Sequence, residues 1–457
     1  MFSQNKQILY GFSEIPQSLL LNPGGKVNND WYFGLPLLSH IHVNAGSSGV
    51  TVYDLFADNN IDFNTKLRNA VNGMSANDFF SMNEQLEIFS VGFNIGNKFQ
   101  ANKYLSLGMY QELDVIGYFP KDYAILALEG NYNNINKVFD VGDFNGRAEL
   151  ISVLHVGFNK KVNDNFSFGF RGKIYSSVLN LTSTSNKGSF YTRPGVNNYF
   201  DHFFNLDLEV QTSGLASLIE DENSDFSNDI KTLRKRLLFG GNLGLGFDVG
   251  FSKQINKQVS VDASLLDIGF ITHTKDVENY QIRGNMVFEG INPIFPETES
   301  NQTADEYWSE IEEDFEDLFE VDTLTTKYTT WRPVKLNASI NYAFGKKKEK
   351  DCNCIKEESG FLNAVGAQLY AIKRPKGPQM AFTAYYFRHI FKGLQTKVTY
   401  TIDSYSFNNI GLGMSANIRG FNLYLMVDNL WQYQNIYDAK SVSVQFGFNY
   451  IFKKNEK

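Results

Sequence analysis

Cysteine is almost missing from this chain: two residues in 457 cannot make a disulfide framework. Proline is scarce too, at ten residues, so little interrupts extended segments. No run of about 18 apolar residues occurs, which excludes a membrane-spanning helix. Positive charge is not in excess. A net charge of −8 and a pI near 5.4 argue against nucleic acid as a natural partner. There is no G-x-S-x-G elbow, H-E-x-x-H, Walker loop or helix-opening G-x-G-x-x-G. Nothing in the sequence argues for an enzyme or for a cofactor.

What the chain does have is aromatics, 40 Phe and 24 Tyr, in a sequence of mean hydropathy −0.29. They are placed with a period of two. Near the C-terminus Val442, Val444, Phe446, Phe448, Tyr450 and Phe452 alternate with Ser443, Gln445, Gly447 and Asn449, and Ile451 alone breaks the polar set. Strands send successive side chains to opposite faces, so this ribbon has one aromatic face and one small polar face. Leu243, Leu245, Phe247, Val249 and Phe251 repeat the pattern against Gly244, Gly246, Asp248 and Gly250. Phe166, Phe168 and Phe170 do so against Ser167, Gly169 and Arg171.

About fourteen strands follow, near 31–46, 86–98, 103–113, 147–159, 166–178, 242–252, 258–270, 334–344, 362–372, 380–388, 394–402, 408–418, 421–429 and 442–452. The joins after the second, fourth, sixth, tenth and twelfth are short, as in "NKFQANK", "KKVNDN" and "RG". Most of the others are longer, up to the stretch between 271 and 333. Short turns at one rim and long loops at the other fit a transmembrane antiparallel β-barrel, all-β, with the apolar face toward hydrocarbon. A soluble β-sandwich also alternates, but would distribute its long loops over both ends. The expected location is the bacterial outer membrane with both termini periplasmic. The start, "MFSQNKQILYGF", lacks a basic n-region and an apolar h-region, and reads as the remnant of a signal peptide that is missing or truncated.

Two pieces fall outside the barrel proper of 31–457. Residues 1–30, with Pro16 and Pro23 around a short apolar run, suggest a plug in the lumen; a loose periplasmic tail is the plain alternative. Asn22, Pro23 and Gly24 are its gating candidates, and the glycine row Gly244, Gly246 and Gly250 would make room for it. The long acidic loop 271–333 carries "TADEYWSEIEEDFEDLFE". Thr303 and Glu306 form a capping box, and Trp308, Ile311 and Phe315 share one face of an amphipathic helix over the extracellular mouth. Those three are the partner-binding candidates; a merely solvated acidic face is the alternative.

The ionisable groups offer little chemistry. His40 and His42 can share a strand face and are read as lumen residues, as is Asp267 at the end of the apolar "SLLDIGFI". Cys352 and Cys354 make a C-x-C pair that can hold a soft metal or oxidise locally, yet two thiolates alone do not complete a zinc site. No metal is expected.

Several stretches, "PQSLLLNPGG", "WYFGLPLLS", "LLDIGFI", "VDNLW" and the "DCNC" after "INYAFGKKKEK", resemble an uncharacterised outer-membrane family of Bacteroidota, similar to FadL-like and PorV-like barrels. That resemblance implies a fourteen-stranded barrel with its N-terminal segment in the lumen. FadL-like members move hydrophobic solutes; PorV-like members work with the type IX secretion apparatus. The expected function is therefore a channel for small hydrophobic solutes, with membrane lipid and a hydrophobic small molecule as partners. The alternative is an accessory or scaffold barrel working with secretion or envelope-assembly proteins.

Overall fold

The structure is a computed structural model describing residues 6–96, 102–196, 199–219, 226–289, 308–309, 313, 321–348, 357–391 and 393–452. Among these residues all strands join one antiparallel sheet. In chain order they are β1 (Trp31–Gly34), β2 (Ile41–Ser47), β3 (Phe79–Ile95), β4 (Lys103–Tyr118), β5 (Phe139–Asp140), β6 (Gly146–Asn163) and β7 (Phe166–Pro194). Then come β8 (Phe200–Ser213), β9 (Asn242–Gln254), β10 (Val259–His273), β11 (Val277–Phe288), β12 (Asp322–Leu324), β13 (Tyr328–Trp331) and β14 (Lys335–Lys348). The last six are β15 (Glu357–Arg374), β16 (Gly377–Phe391), β17 (Leu394–Ile402), β18 (Asn409–Ile418), β19 (Phe421–Asp428) and β20 (Ser441–Phe452).

β1 and β2 are two halves of one stave, since both pair with β3 on one side and β20 on the other. That double pairing closes the sheet. β13 and β14 likewise follow one another along β10, and the result is a closed barrel of fourteen staves. Closure leaves no raw edge, and every backbone group within the wall can find a partner where lipid offers none.

The two faces of each stave differ as the period-two pattern requires. On β19, Phe421, Leu423 and Leu425 point outward and are exposed, while Asn422, Tyr424 and Met426 point inward and are buried. On β20 the inward set is Ser441, Ser443, Gln445, Asn449 and Ile451. An apolar outer band on a closed sheet is the surface that hydrocarbon solvates.

Three details depart from the sequence reading. The first stave is interrupted at 35–40, where Leu35, Leu37 and Leu38 are extruded outward, with Leu37 at φ 64°. β7 runs 29 residues; its first part pairs with β9, and its second, from Asn180, pairs with β8 beyond the barrel. β8 pairs in turn with β11, and β11 with β12, so part of the stretch read as a long loop carrying a helix is sheet. Trp308 and Ser309 are helical, as is Glu313. Helices α1 (Val52–Phe56), α2 (Phe63–Gly73) and α3 (Lys121–Glu129) lie in the longer connections; Thr51 and Asp54 form a capping box on the first, and Asp62 caps the second. One join at the long-loop rim is tight, Pro375–Lys376 between β15 and β16.

Candidate functional site: the occupied lumen

The N-terminal segment, from Lys6 onward, lies inside the barrel. Gly11 supplies a positive φ of 73°, and Pro16 opens a single 3-10 turn, Pro16–Leu20, at the position where its missing N–H costs nothing. Asn22 then closes a local turn by accepting from the Gly24 N–H at 2.9 Å, while its amide donates to the Phe251 carbonyl at 3.1 Å.

A segment without long secondary structure leaves carbonyls to satisfy, and inward side chains of many staves do so. Lys397 Nζ donates to the Gln7 and Tyr10 carbonyls at 3.2 and 2.8 Å. Arg171 donates to those of Leu19 and Leu20, and Ser264 to that of Leu21 at 2.6 Å. Asn159 Nδ2 takes the Pro23 and Gly25 carbonyls at 2.8 and 2.9 Å, and Ser167 takes Gly24 at 2.7 Å. Gln17 binds Glu87 at 2.9 Å and exchanges hydrogen bonds with Asn449.

Two wall glycines let the backbones approach. A Cβ on Gly169 would run into the Pro23 carbonyl, and one on Gly250 would meet Asn22 Oδ1. Of the glycine row named from sequence, only Gly250 touches the segment. Gly246 instead accommodates Tyr175, and Gly244 lies against Ile271.

The segment's apolar side chains meet an apolar lane on the inner wall. Ile8, Leu9, Tyr10, Phe12, Ile15 and Leu21 cluster with Leu266, Tyr424 and Met426, and Phe12 sets its edge on Phe387 at 5.2 Å. Leu19 packs with Tyr32, Tyr104 and Ile451. The residue that broke the polar face of the last strand is thus one of the three that receive Leu19.

Beside this lane stands a ladder of buried ion pairs. Arg171 reaches Asp248 at 3.0 Å, and Lys173 bridges Asp248 and Asp267 at 2.8 and 2.6 Å. Lys335 bridges Asp267 and Glu112 at 2.8 and 2.9 Å, and Arg332 joins Glu112 to Glu149. Arg147 ends the run on Glu149 at 3.0 Å; Arg374 pairs separately with Asp114 at 2.6 Å. Asp267 sits at a register shift in β10 with φ 58°, and its N–H donates to Asp248 at 2.7 Å. Isolated, such charges would be too costly to bury; linked through shared carboxylates, they fill the lumen.

The structure brings Asn22, Pro23, Gly24 and Asp267 into this site. His40 and His42 are buried and inward as well. His40 Nδ1 is 2.8 Å from the Tyr424 hydroxyl, whereas neither ring nitrogen of His42 has a hydrogen-bond partner among the described residues. Lys6 bonds Gln85 and shares a small cavity with His42, Glu112 and Lys335. Trp308 is half exposed; Ile311, Phe315, Cys352 and Cys354 lie outside the described residues. The ladder partners of Asp267 were missed, although Arg171 and Asp248 stand at polar-face positions of strands read correctly. Where the segment leaves the lumen, a polar cleft of about 230 Å³ opens at the short-turn rim, lined by Lys26, Asn28, Asn94, Lys103 and Lys161 among others.

A sequence profile described as "Family of unknown function (DUF5723)" matches residues 23–428. No curated protein matches the chain. Among solved structures, the P. putida toluene transporter TodX aligns over 99% of this chain and 96% of its own at 8% identity, with a TM-score of 0.39. The Ralstonia pickettii toluene transporter TbuX aligns over 96% and 94% at 9% identity and 0.43. A Pseudomonas aeruginosa FadL homologue aligns over 97% and 96% at 10% identity and 0.41.

Proposed function

The chain belongs to the family of unknown function DUF5723, and we propose that it is an outer-membrane channel for small hydrophobic solutes, closed at rest by its own N-terminal segment. One observation carries the reading: the apolar lane of Leu266, Tyr424, Met426 and Phe387 on the inner wall, which the segment's own apolar side chains cover. A barrel that passed only water and ions would need no such lane. Here Ile8, Leu9 and Phe12 occupy it as a hydrophobic solute would, and withdrawal of the segment frees it.

In this reading Asn22, Pro23 and Gly24 form the hinge, because their contacts on Phe251, Asn159 and Ser167 fix the point where the segment turns into the lumen. The short-turn rim faces the periplasm, and the polar cleft there is the exit. Arg171 holds both the segment, at Leu19 and Leu20, and the ladder, at Asp248. Movement of one is therefore felt by the other. Deletion of residues 1–25 tests the proposal: the reconstituted barrel gains conductance and takes up a monoaromatic or short aliphatic hydrocarbon faster. A truncated barrel with unchanged conductance and unchanged uptake refutes it.

A further inference from the structure

The outer wall is recessed where β6, β7, β9 and β10 run side by side. Outward Val156, Phe170, Leu245, Phe247, Phe270 and Trp331 stand around the bare backbone of Gly172 and line an open recess of about 630 Å³. A Cβ built on Gly172 meets nothing within 4 Å, so the floor of the recess is there because this one outward position lacks a side chain. The β10 register shift between Leu265 and Ile268 borders it.

We propose that this recess holds one acyl chain of a bilayer lipid as a standing part of the wall. The inference rests on the wall's outward face and not on the transport reading above. Its volume falls within the range of ligand pockets, about 300–1,000 Å³. Its chemistry selects a chain and rejects a charged head. The one charged residue in the lining, Lys173, turns its ammonium inward to Asp248 and Asp267 at 2.8 and 2.6 Å.

Its depth agrees. Gly172 lies six residues along β7 from Phe166 at the short-turn rim. At ~3.3 Å per residue and a tilt of ~40° that is about 15 Å, half of a ~30 Å hydrocarbon layer. At that depth a bilayer offers only chain segments. A chain in the recess touches protein on several sides, while one on the open wall touches it on a single side, and dispersion attraction grows with the number of contacts.

Trp331 reports on the recess. The chain has four tryptophans; replacing Trp31, Trp308 and Trp431 by Phe leaves this one. The full-length barrel is reconstituted with rising fractions of phosphatidylcholine brominated at mid-chain, whose bromine quenches indole on contact. Half-maximal quenching is expected at a bromolipid fraction roughly threefold below that of the same protein carrying Gly172→Leu, the ratio a handful of extra contacts provides. Val156→Phe fills the recess from the neighbouring stave and gives the same shift should Gly172→Leu fail to fold. Coincident curves for the open and filled recess overturn the proposal. So does relief of quenching by a trace of free toluene or dodecane, too little to dilute the bromolipid, because the recess would then be a solute site.

Discussion

Adding one methyl group at Gly169 should loosen the N-terminal segment without harming the wall. The new Cβ would lie against the Pro23 carbonyl and 2.7 Å from the Gly24 nitrogen, where real Cβ atoms keep at least 3.0 Å. Because the obstacle is backbone, the segment must withdraw by about 1 Å. That carries Asn159–Pro23, Asn159–Gly25 and Ser167–Gly24, now 2.7 to 2.9 Å, beyond ~3.5 Å, where a hydrogen bond is no longer counted. Three bonds at ~0.5–1.5 kcal/mol each amount to about 2–4 kcal/mol. At 1.4 kcal/mol per tenfold, the undocked population rises roughly 30- to 1,000-fold.

The control lies on the same stave: Gly172→Ala places its Cβ in open space on the outer face and should change nothing inside. Amide hydrogen exchange across residues 6–30 reads the difference, with conductance of the reconstituted barrel as the second measure. Gly169→Ala should lose protection in that segment and raise conductance, while both variants remain heat-modifiable on gels. If Gly169→Ala exchanges and conducts like the parent, the close approach of Pro23 to the wall is not what holds the segment.

Asp267→Asn leaves Lys173 and Lys335 each short of a carboxylate in a buried site, and should cost about 3–5 kcal/mol in urea unfolding from lipid vesicles. Asn tolerates the positive φ, so the loss is electrostatic, and Lys335→Met added to Asp267→Asn should recover part of it. Beyond the barrel, on the projecting part of the sheet, burial lowers the pKa of His202, with Asp201 opposing. Its Nδ1 accepts from Asn131 Nδ2 at 3.1 Å and lies 3.0 Å from Thr192 Oγ1. The unfolded imidazole then binds protons before the folded one does. Local stability is complete above the ordinary histidine range and is lost as pH falls through it. Hydrogen exchange at 131–136 and 190–204 should speed up on acidification in the parent and be flat over the same range in His202→Gln.

The staves were legible because hydrocarbon enforces a period of two on every one of them: Phe421, Leu423 and Leu425 can face nothing else. The interruption at 35–40 was hidden by the same signal, since Leu35, Leu37 and Leu38 are as apolar as a stave's outer row and yet leave it. β8 carries a clean alternation, Phe204, Leu206 and Leu208 against Asn205, Asp207 and Glu209. Its apolar face packs on Phe139, Val141 and Phe190 rather than on lipid, so its role could not be told from its pattern. The ladder was hidden for a different reason. Arg374 meets Asp114 from 260 positions away and Arg332 meets Glu149 from 183; only the closing of the cylinder brings them together. Ile451 and Asp267 were visible as exceptions, and both exceptions proved to be contact points of the interior.

The seam between Trp31 and Phe452, whose rings stack at 3.2 Å, has a bearing on biogenesis. β3 covers one edge of the first stave, and the other edge stays open until Ser441–Phe452 pair with it. Loss of those residues would leave two unsatisfied ribbons facing each other across a missing slat, an invitation to pair with foreign strands. The N-terminal segment turns inward against β6, β7 and β9 and not at this seam, so the order of its docking and of closure decides whether an assembly intermediate is leaky.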